Sequence, residues 1–199
     1  MARMVELILR EIPFKGYFQV SRYHLRHTQF NGGMGPQISR EVFERGHAVC
    51  VVPYDPRRDE IALIEQFRPG AYAAGDPDPW LIEVVAGIID ENETLEDVAQ
   101  RESMEETGLT ISALDYLGKH YMTPGGSSES IAMYAGCADF TQLGGLHGMA
   151  DEGEDIRVFA VPAHEAIAMV HDNRIRNAMT ALALLLFESR RQVLRQDWQ

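Results

Sequence analysis

The chain has 199 residues, 45% of them hydrophobic, and a formal charge of −12 from 30 Asp and Glu against 18 Lys and Arg. It is too apolar to be disordered and has ample material for a packed core in one or two domains. The sign of the charge argues against sequence-independent binding to DNA or to an anionic membrane, both of which need a basic face, so neither is an expected partner.

The N-terminal stretch MARMVELILREI has charges breaking its apolar run and does not read as a secretion signal. Residues 1–45 read as a β-rich N-terminal region, with residues 46–199 as the main domain. Tyr17-Phe18-Gln19-Val20 through Leu25 mixes aromatic and β-branched residues, and Asn31-Gly32-Gly33-Met34-Gly35-Pro36 is a turn or loop signal. A hairpin follows: HAVCVVPYD, the turn PRRD, then EIALIEQF. The segment from Pro69 to Pro79, rich in Gly, Pro, Ala and Asp, predicts a loop, and Leu81 to Val85 a mostly buried strand.

Residues 94–107 predict a helix. Thr94 with Asp97 three residues on resembles a capping box, Leu95, Val98 and Ala99 form an apolar stripe, and Gly108 is a natural C-cap. Strands are expected near 114–121, 130–138 and 156–161. Pro162 opens a helix to about 171, and Ala178 to Arg191 reads as a last amphipathic helix. The longest apolar stretch, Ala178 to Phe187, is too short to span a bilayer. Cys50 and Cys137 lack zinc-ligand neighbours and read as buried small hydrophobes, so a reduced, cytoplasmic setting is expected. The order of elements indicates a mixed sheet flanked by helices, an α/β (α+β) fold.

The acid is concentrated. Residues 90–106 carry a net charge of −7 and residues 151–155 a further −4, leaving the rest of the chain almost neutral. On the expected helix, Glu102, Glu105 and Glu106 point roughly the same way. They lie in its final turns, where the helix dipole disfavours a negative charge by about 0.3–1 kcal/mol each. Arg101 can pair with Glu105, but one arginine cannot neutralise three acids. Such a cluster suits a hard divalent cation with oxygen ligands, but a solvated acidic helix face is the commoner source of such a stretch, and spacing alone leaves both open.

The surrounding residues separate the two. Gly87, Glu93, Arg101-Glu102, Glu105-Glu106, Gly108 and Leu109 match the Nudix box, G-x5-E-x7-R-E-U-x-E-E-x-G-U, at every specified position but one. The one departure is Ser103, which stands where the family usually has an apolar residue. The chain resembles the ADP-ribose pyrophosphatase branch of that family nearly end to end, through REVFERGHAV (40–49), IEQFR (64–68), PWLIEVVAG (79–87), TPGGSSE (123–129) and HGMADEGEDIRV (147–158). Pro124, 15 residues past the box, agrees with that branch.

The resemblance implies an α/β/α sandwich that hydrolyses ADP-ribose or a related nucleoside diphosphosugar with Mg²⁺ or Mn²⁺. It implies that Glu102, Glu105 and Glu106 bind metal with the Ala86 carbonyl, while Glu93 and Arg101 hold the loop–helix–loop together. Glu152, on the second acidic segment, is the expected base, with Glu154 as its competitor, and Glu105 joins it among the catalytic residues. A homodimer with exchanged N-terminal strands is implied. Tyr17 would then stack on adenine, or simply pack in the sheet. Arg40 and Arg68 would contact the base or phosphates, or form surface ion pairs. Gly125 would offer its backbone to phosphate or ribose, or only make a turn, and Glu129 would assist a metal or the terminal ribose. The competing functions are a diphosphatase for ADP-glucose or GDP-mannose, and a Nudix domain that binds ligand without catalysis.

Overall fold

The computed structural model describes residues 2–149 and 153–199, so the expected base Glu152 lies outside the described residues. The chain forms two compact units, one of residues 1–47 with 121–130, the other of residues 48–120 with 131–199. Beyond the expected N-terminal region, the first unit therefore also takes in the TPGGSSE segment.

The first unit is a three-stranded antiparallel sheet in the order β1 (Val5–Lys15), β2 (Gln19–His27), β3 (Ile38–Glu44). The β1–β2 turn spans Gly16 to Phe18, and Gly32 and Gly33 take positive φ in the longer β2–β3 connection. The segment 123–129 is tied to β3: Phe43 N–H donates to the Gly126 carbonyl (2.8 Å) and Ser128 N–H to the Phe43 carbonyl (3.2 Å).

The second unit holds an eight-stranded mixed sheet. Its strands are β4 (Ala48–Asp55), β5 (Glu60–Phe67), β6 (Trp80–Glu83), β7 (Val85–Ile88), β8 (Ala113–Tyr121), β9 (Ser130–Cys137), β10 (Gly145–His147) and β11 (Ile156–Pro162). The main order is β10-β11-β5-β4-β9-β8, with β4 and β9 parallel. The β4–β5 turn is held by the buried Asp55, whose carboxylate accepts from the N–H groups of Arg57 (2.9 Å), Arg58 (3.2 Å) and Phe140 (3.2 Å).

β4 and β5 pair only next to that turn, at Tyr54–Ile61 and Asp55–Glu60. Farther along they part, and β6 pairs with β5 while β7 pairs with β4. The expected single strand at 81–85 is thus two strands, because the chain crosses from one partner to the other at Val84. That crossing would orphan a buried N–H. Thr180 Oγ1 accepts it at 3.2 Å.

The helices are α1 (Pro69–Ala73), α2 (Leu95–Thr107), α3 (Ala163–His171) and α4 (Ala178–Asp197). α1 falls in the expected loop; Pro69 at its first turn has the fixed φ a helix start uses. Val49 and Val51 of β4 pack with Val98 and Ala99 of α2, whereas Tyr54 meets Phe187 of α4 ring to ring at 4.9 Å. Odd and even residues of a strand face opposite ways, so helices cover both faces of the sheet. α4 runs six residues beyond the expected Arg191, and its last turns are fastened to Asp59 by Arg191 and by Arg195 (2.9 Å). Cys50 is buried, and burial pushes its thiol up to about 12. Cys137 is only half-buried, unlike the expectation, since it ends its strand. No helix among the described residues is long and apolar enough to cross a membrane.

Candidate active site

The acidic box is built around α2. Its start is the capping box the sequence predicts: Asp97 N–H donates to Thr94 Oγ1 and Thr94 N–H to the Asp97 carboxylate, each at 3.1 Å. Gly108 ends the helix in the left-handed conformation, at φ 70°. Ser103 is fully buried on the core side, where its hydroxyl donates to the Ala99 carbonyl at 2.7 Å. A polar residue is therefore accommodated at the usually apolar position by bonding back to its own helix.

Arg101 organises the carboxylates. Its Nε and Nη2 hold Glu93 in a bidentate pair at 2.7 and 2.9 Å, Nη2 reaches the Ile88 carbonyl at 3.2 Å, and Nη1 meets Glu102 at 2.7 Å and Glu105 at 3.1 Å. Hydrogen bonding from Arg101, with the Asp90 N–H, holds the Glu93 carboxyl down to about 2. Burial works the other way on the metal candidates. It raises Glu102 above the usual carboxylate range against the opposing pull of Arg101, and lifts Glu106 well above it despite the hydrogen bond from Ala86 N–H (3.0 Å). That last bond sets the Ala86 peptide beside the box carboxylates.

Gly87 makes room for this arrangement. A Cβ there would lie 1.6 Å from Glu102 Oε1. The donors fit a hard divalent cation: carboxylate oxygens of low exposure with more negative charge than Arg101 can offset. Among the described residues no three acidic, histidine or cysteine side chains converge closely enough to hold a metal, and Arg101 is the cation bridging Glu102 and Glu105.

Arg68 joins this unit through a residue that sequence reading passed over. Glu83 is fully buried, receives Arg68 Nε at 3.1 Å and Nη2 at 2.5 Å, and accepts from Asn177 Nδ2 at 2.8 Å. Asn177 is also the N-cap of α4, taking the Thr180 N–H at 3.0 Å. The ion-pair alternative for Arg68 is thus realised against a buried carboxylate, with the guanidinium still reaching solvent. Gln66, two residues earlier, buries an amide Nε2 with no hydrogen-bond partner among the described residues. Glu154 acts electrostatically on Glu102, Glu106 and Arg68, and its carboxylate accepts the Met149 N–H at 3.1 Å.

The other expected residues belong to the first unit. The Tyr17 ring is 90% exposed and touches Phe18 edge-on at 4.7 Å, so it is not packed into the sheet. Arg40 is exposed and donates to the Ser39 carbonyl at 2.7 Å, with no ion pair among the described residues. Gly125 lies exposed in the turn closed by the Gly126 and Ser127 N–H groups on the Thr123 carbonyl. Glu129 is buried and pairs with Arg45 at 3.3 Å. Beside it, Glu44 accepts from Tyr23 (2.6 Å) and Ser128 (2.8 Å). Burial works to raise the Glu44 carboxyl, but these bonds and the Arg10 charge outweigh it and leave it below the usual range. Glu44 and Arg45 lie within the REVFERGHAV stretch, but their spacing carries no chemistry of its own, so it is their position in the unit that reveals their contacts.

Comparison with known proteins bears on this geometry. A NUDIX domain profile matches residues 44–182. The chain is 44% identical over 194 residues to the ADP-ribose pyrophosphatase of Escherichia coli K12, covering 98% of this chain and 92% of the relative. It is 34% identical to that of Haemophilus influenzae, over 98% of this chain and 91% of the relative. It is also 35% identical to the GDP-mannose pyrophosphatase of Yersinia enterocolitica, over 92% and 95%. A crystal structure of an ADP compounds hydrolase superposes with a TM-score of 0.70 at 22% identity, covering 97% of this chain and 95% of that one, and so shares the fold. With the box glycines, arginine and glutamates all present, the profile match and these full-length relatives, the chain belongs to the Nudix hydrolase family, whose members generally use divalent cations.

Proposed function

We propose that this protein is a divalent-cation-dependent diphosphatase that hydrolyses ADP-ribose to AMP and ribose 5-phosphate. What carries the reading is the 44% identity over 98% of the chain to an ADP-ribose pyrophosphatase, in a sequence that keeps every box carboxylate. In this reading Glu102, Glu105 and Glu106, with the Ala86 carbonyl, hold Mg²⁺, or Mn²⁺ in its place. A divalent cation there supplies neutralising charge to the diphosphate and acidifies a water molecule. Glu152 takes the proton as the water oxygen bonds to phosphorus and the bridging P–O bond breaks. Arg68, steadied by Glu83, and Arg40 present guanidinium groups to the anionic substrate, while the open Tyr17 ring stacks on adenine. Gly125 and Glu129 meet the phosphate and terminal ribose.

The protein works as a homodimer with exchanged N-terminal strands. β1 supports this: Val5, Leu7, Ile8, Leu9, Ile12 and Phe14 are all exposed along one outer strand, an apolar edge that a second copy would cover. The two free cysteines agree with a reducing cytoplasm.

The likeness to a GDP-mannose pyrophosphatase favours one rival substrate. A panel of ADP-ribose, ADP-glucose and GDP-mannose with Mg²⁺ decides between them. ADP-ribose is expected to give the highest kcat/KM, and a preference for GDP-mannose would overturn the assignment.

A further inference from the structure

The end of β3 carries an arginine that the proposed chemistry leaves unused. Arg45 Nε lies 3.3 Å from Glu129 Oε1, and the guanidinium carbon stands 5.5 Å from the centroid of the Phe18 ring. Phe18 in turn meets Tyr17 at 4.7 Å and Phe43 at 5.1 Å, both edge-on. Arg45 Nε is buried and makes no hydrogen bond among the described residues, so charge attraction and the aromatic face are what hold it. A long arginine spends conformational entropy to be fixed in this way.

The segment bearing Glu129 is pinned to the same strand end. Ser127 Oγ donates to the Phe43 carbonyl (3.1 Å) and accepts the Glu129 N–H (3.2 Å), and Ser128 Oγ donates to Glu44 (2.8 Å). The backbone of Glu129 is thereby located, while among the described residues its carboxylate accepts no side-chain hydrogen bond and forms its ion pair with Arg45. A carboxylate of low exposure with unused lone pairs is an acceptor for hydroxyl groups.

We propose that Arg45 is a positioning residue that fixes the Glu129 carboxylate to accept hydroxyl groups of the substrate's terminal sugar, and so sets selectivity at the sugar end. Arg45 itself touches no substrate. The inference rests on the sugar-nucleotide reading given above.

The test uses the full-length protein and the variants Arg45→Gln, Arg45→Lys, Glu129→Gln and the double Arg45→Gln/Glu129→Gln. Arg45→Gln is expected to raise KM for ADP-ribose about tenfold with kcat changed less than about threefold, as for loss of a hydrogen bond to a charged group. Glu129→Gln should match it, the double variant should be no worse than either single one, and Arg45→Lys should recover part of the loss. Competitive inhibition by AMP, which lacks the terminal sugar, should stay unchanged. Effects that multiply in the double variant, an AMP inhibition constant that moves with KM, or a lowered Tm with unchanged KM each overturn the role. If the wild type leaves ADP-ribose intact and turns over another sugar nucleotide, only the substrate assignment falls, and the variants are read on that substrate.

Discussion

Glu102 fills the space that a side chain on Gly87 would need, with a Cβ there only 1.6 Å from Glu102 Oε1. The first glycine of the box and Glu102, the glutamate that follows its arginine, are thus one steric unit, although 15 positions apart. Gly87→Ala should leave β7 and the fold in place but swing the Glu102 carboxylate away. A displacement of about 1 Å at a reacting centre can cost about 100-fold in rate, and a loss of that order in kcat/KM is expected with little change in circular dichroism. Full activity in this variant would show that Glu102 need not occupy that space.

Ser103 leads to the opposite expectation. Its buried hydroxyl serves only the Ala99 carbonyl four residues back, which the helix already uses. Ser103→Val should keep activity and change stability by no more than about 1 kcal/mol, read by chemical denaturation. A large loss would mean that the hydroxyl has a task beyond the helix.

Glu83 is fully buried against Arg68 and Asn177, so Glu83→Gln removes a charge that the guanidinium needs. The expected cost is about 2 kcal/mol, below that of a wholly buried pair because Arg68 reaches solvent. KM should rise with it, since Arg68 loses its anchor. Unchanged KM together with lowered stability would confine Glu83 to a structural role.

The turn residue Asp59 fastens the end of α4 and responds to pH. Hydrogen bonding from Arg191, outweighing burial and reinforced by Tyr54 and Arg195, holds its carboxyl below the usual range. A carboxyl depressed in the folded state contributes stability that is fully present above its unfolded pKa and is lost as pH falls through its folded value. Asp59→Asn suits the test because Asn tolerates the positive φ of 58°. It should cost about 1 kcal/mol at pH 7, the modest figure reflecting solvent around the arginines, and progressively less as pH falls through the folded carboxyl's depressed range. Thermal melts along an acid series read the difference, and a loss that does not change with pH would contradict the linkage.

What the sequence made legible follows the range of the interactions. α2 was readable because Thr94, Asp97 and Gly108 act within one turn of its ends, and the box glutamates were readable because their chemistry is in their spacing. α1 escaped because five residues that begin with a proline are too few to show a periodicity. The break at Val84 escaped because it depends on which neighbour each half-strand pairs with, and the last turns of α4 because their partner, Asp59, is 136 positions from Arg195. Glu83 was hidden in an apolar run that conceals its pairing with Arg68. Arg45 matters only through Phe18 and Glu129, from segments far apart in the chain.

The central claim is that the box glutamates support attack of water on the diphosphate of ADP-ribose. Hydrolysis of ADP-ribose with Mg²⁺ in ¹⁸O-labelled water, followed by mass analysis of the products, tests it most directly. The account predicts AMP and ribose 5-phosphate in equal amounts, one of them carrying a single ¹⁸O on its phosphate, and near-complete loss of turnover in Glu102→Gln. Intact ADP-ribose after incubation, or labelling undiminished by Glu102→Gln, would contradict it.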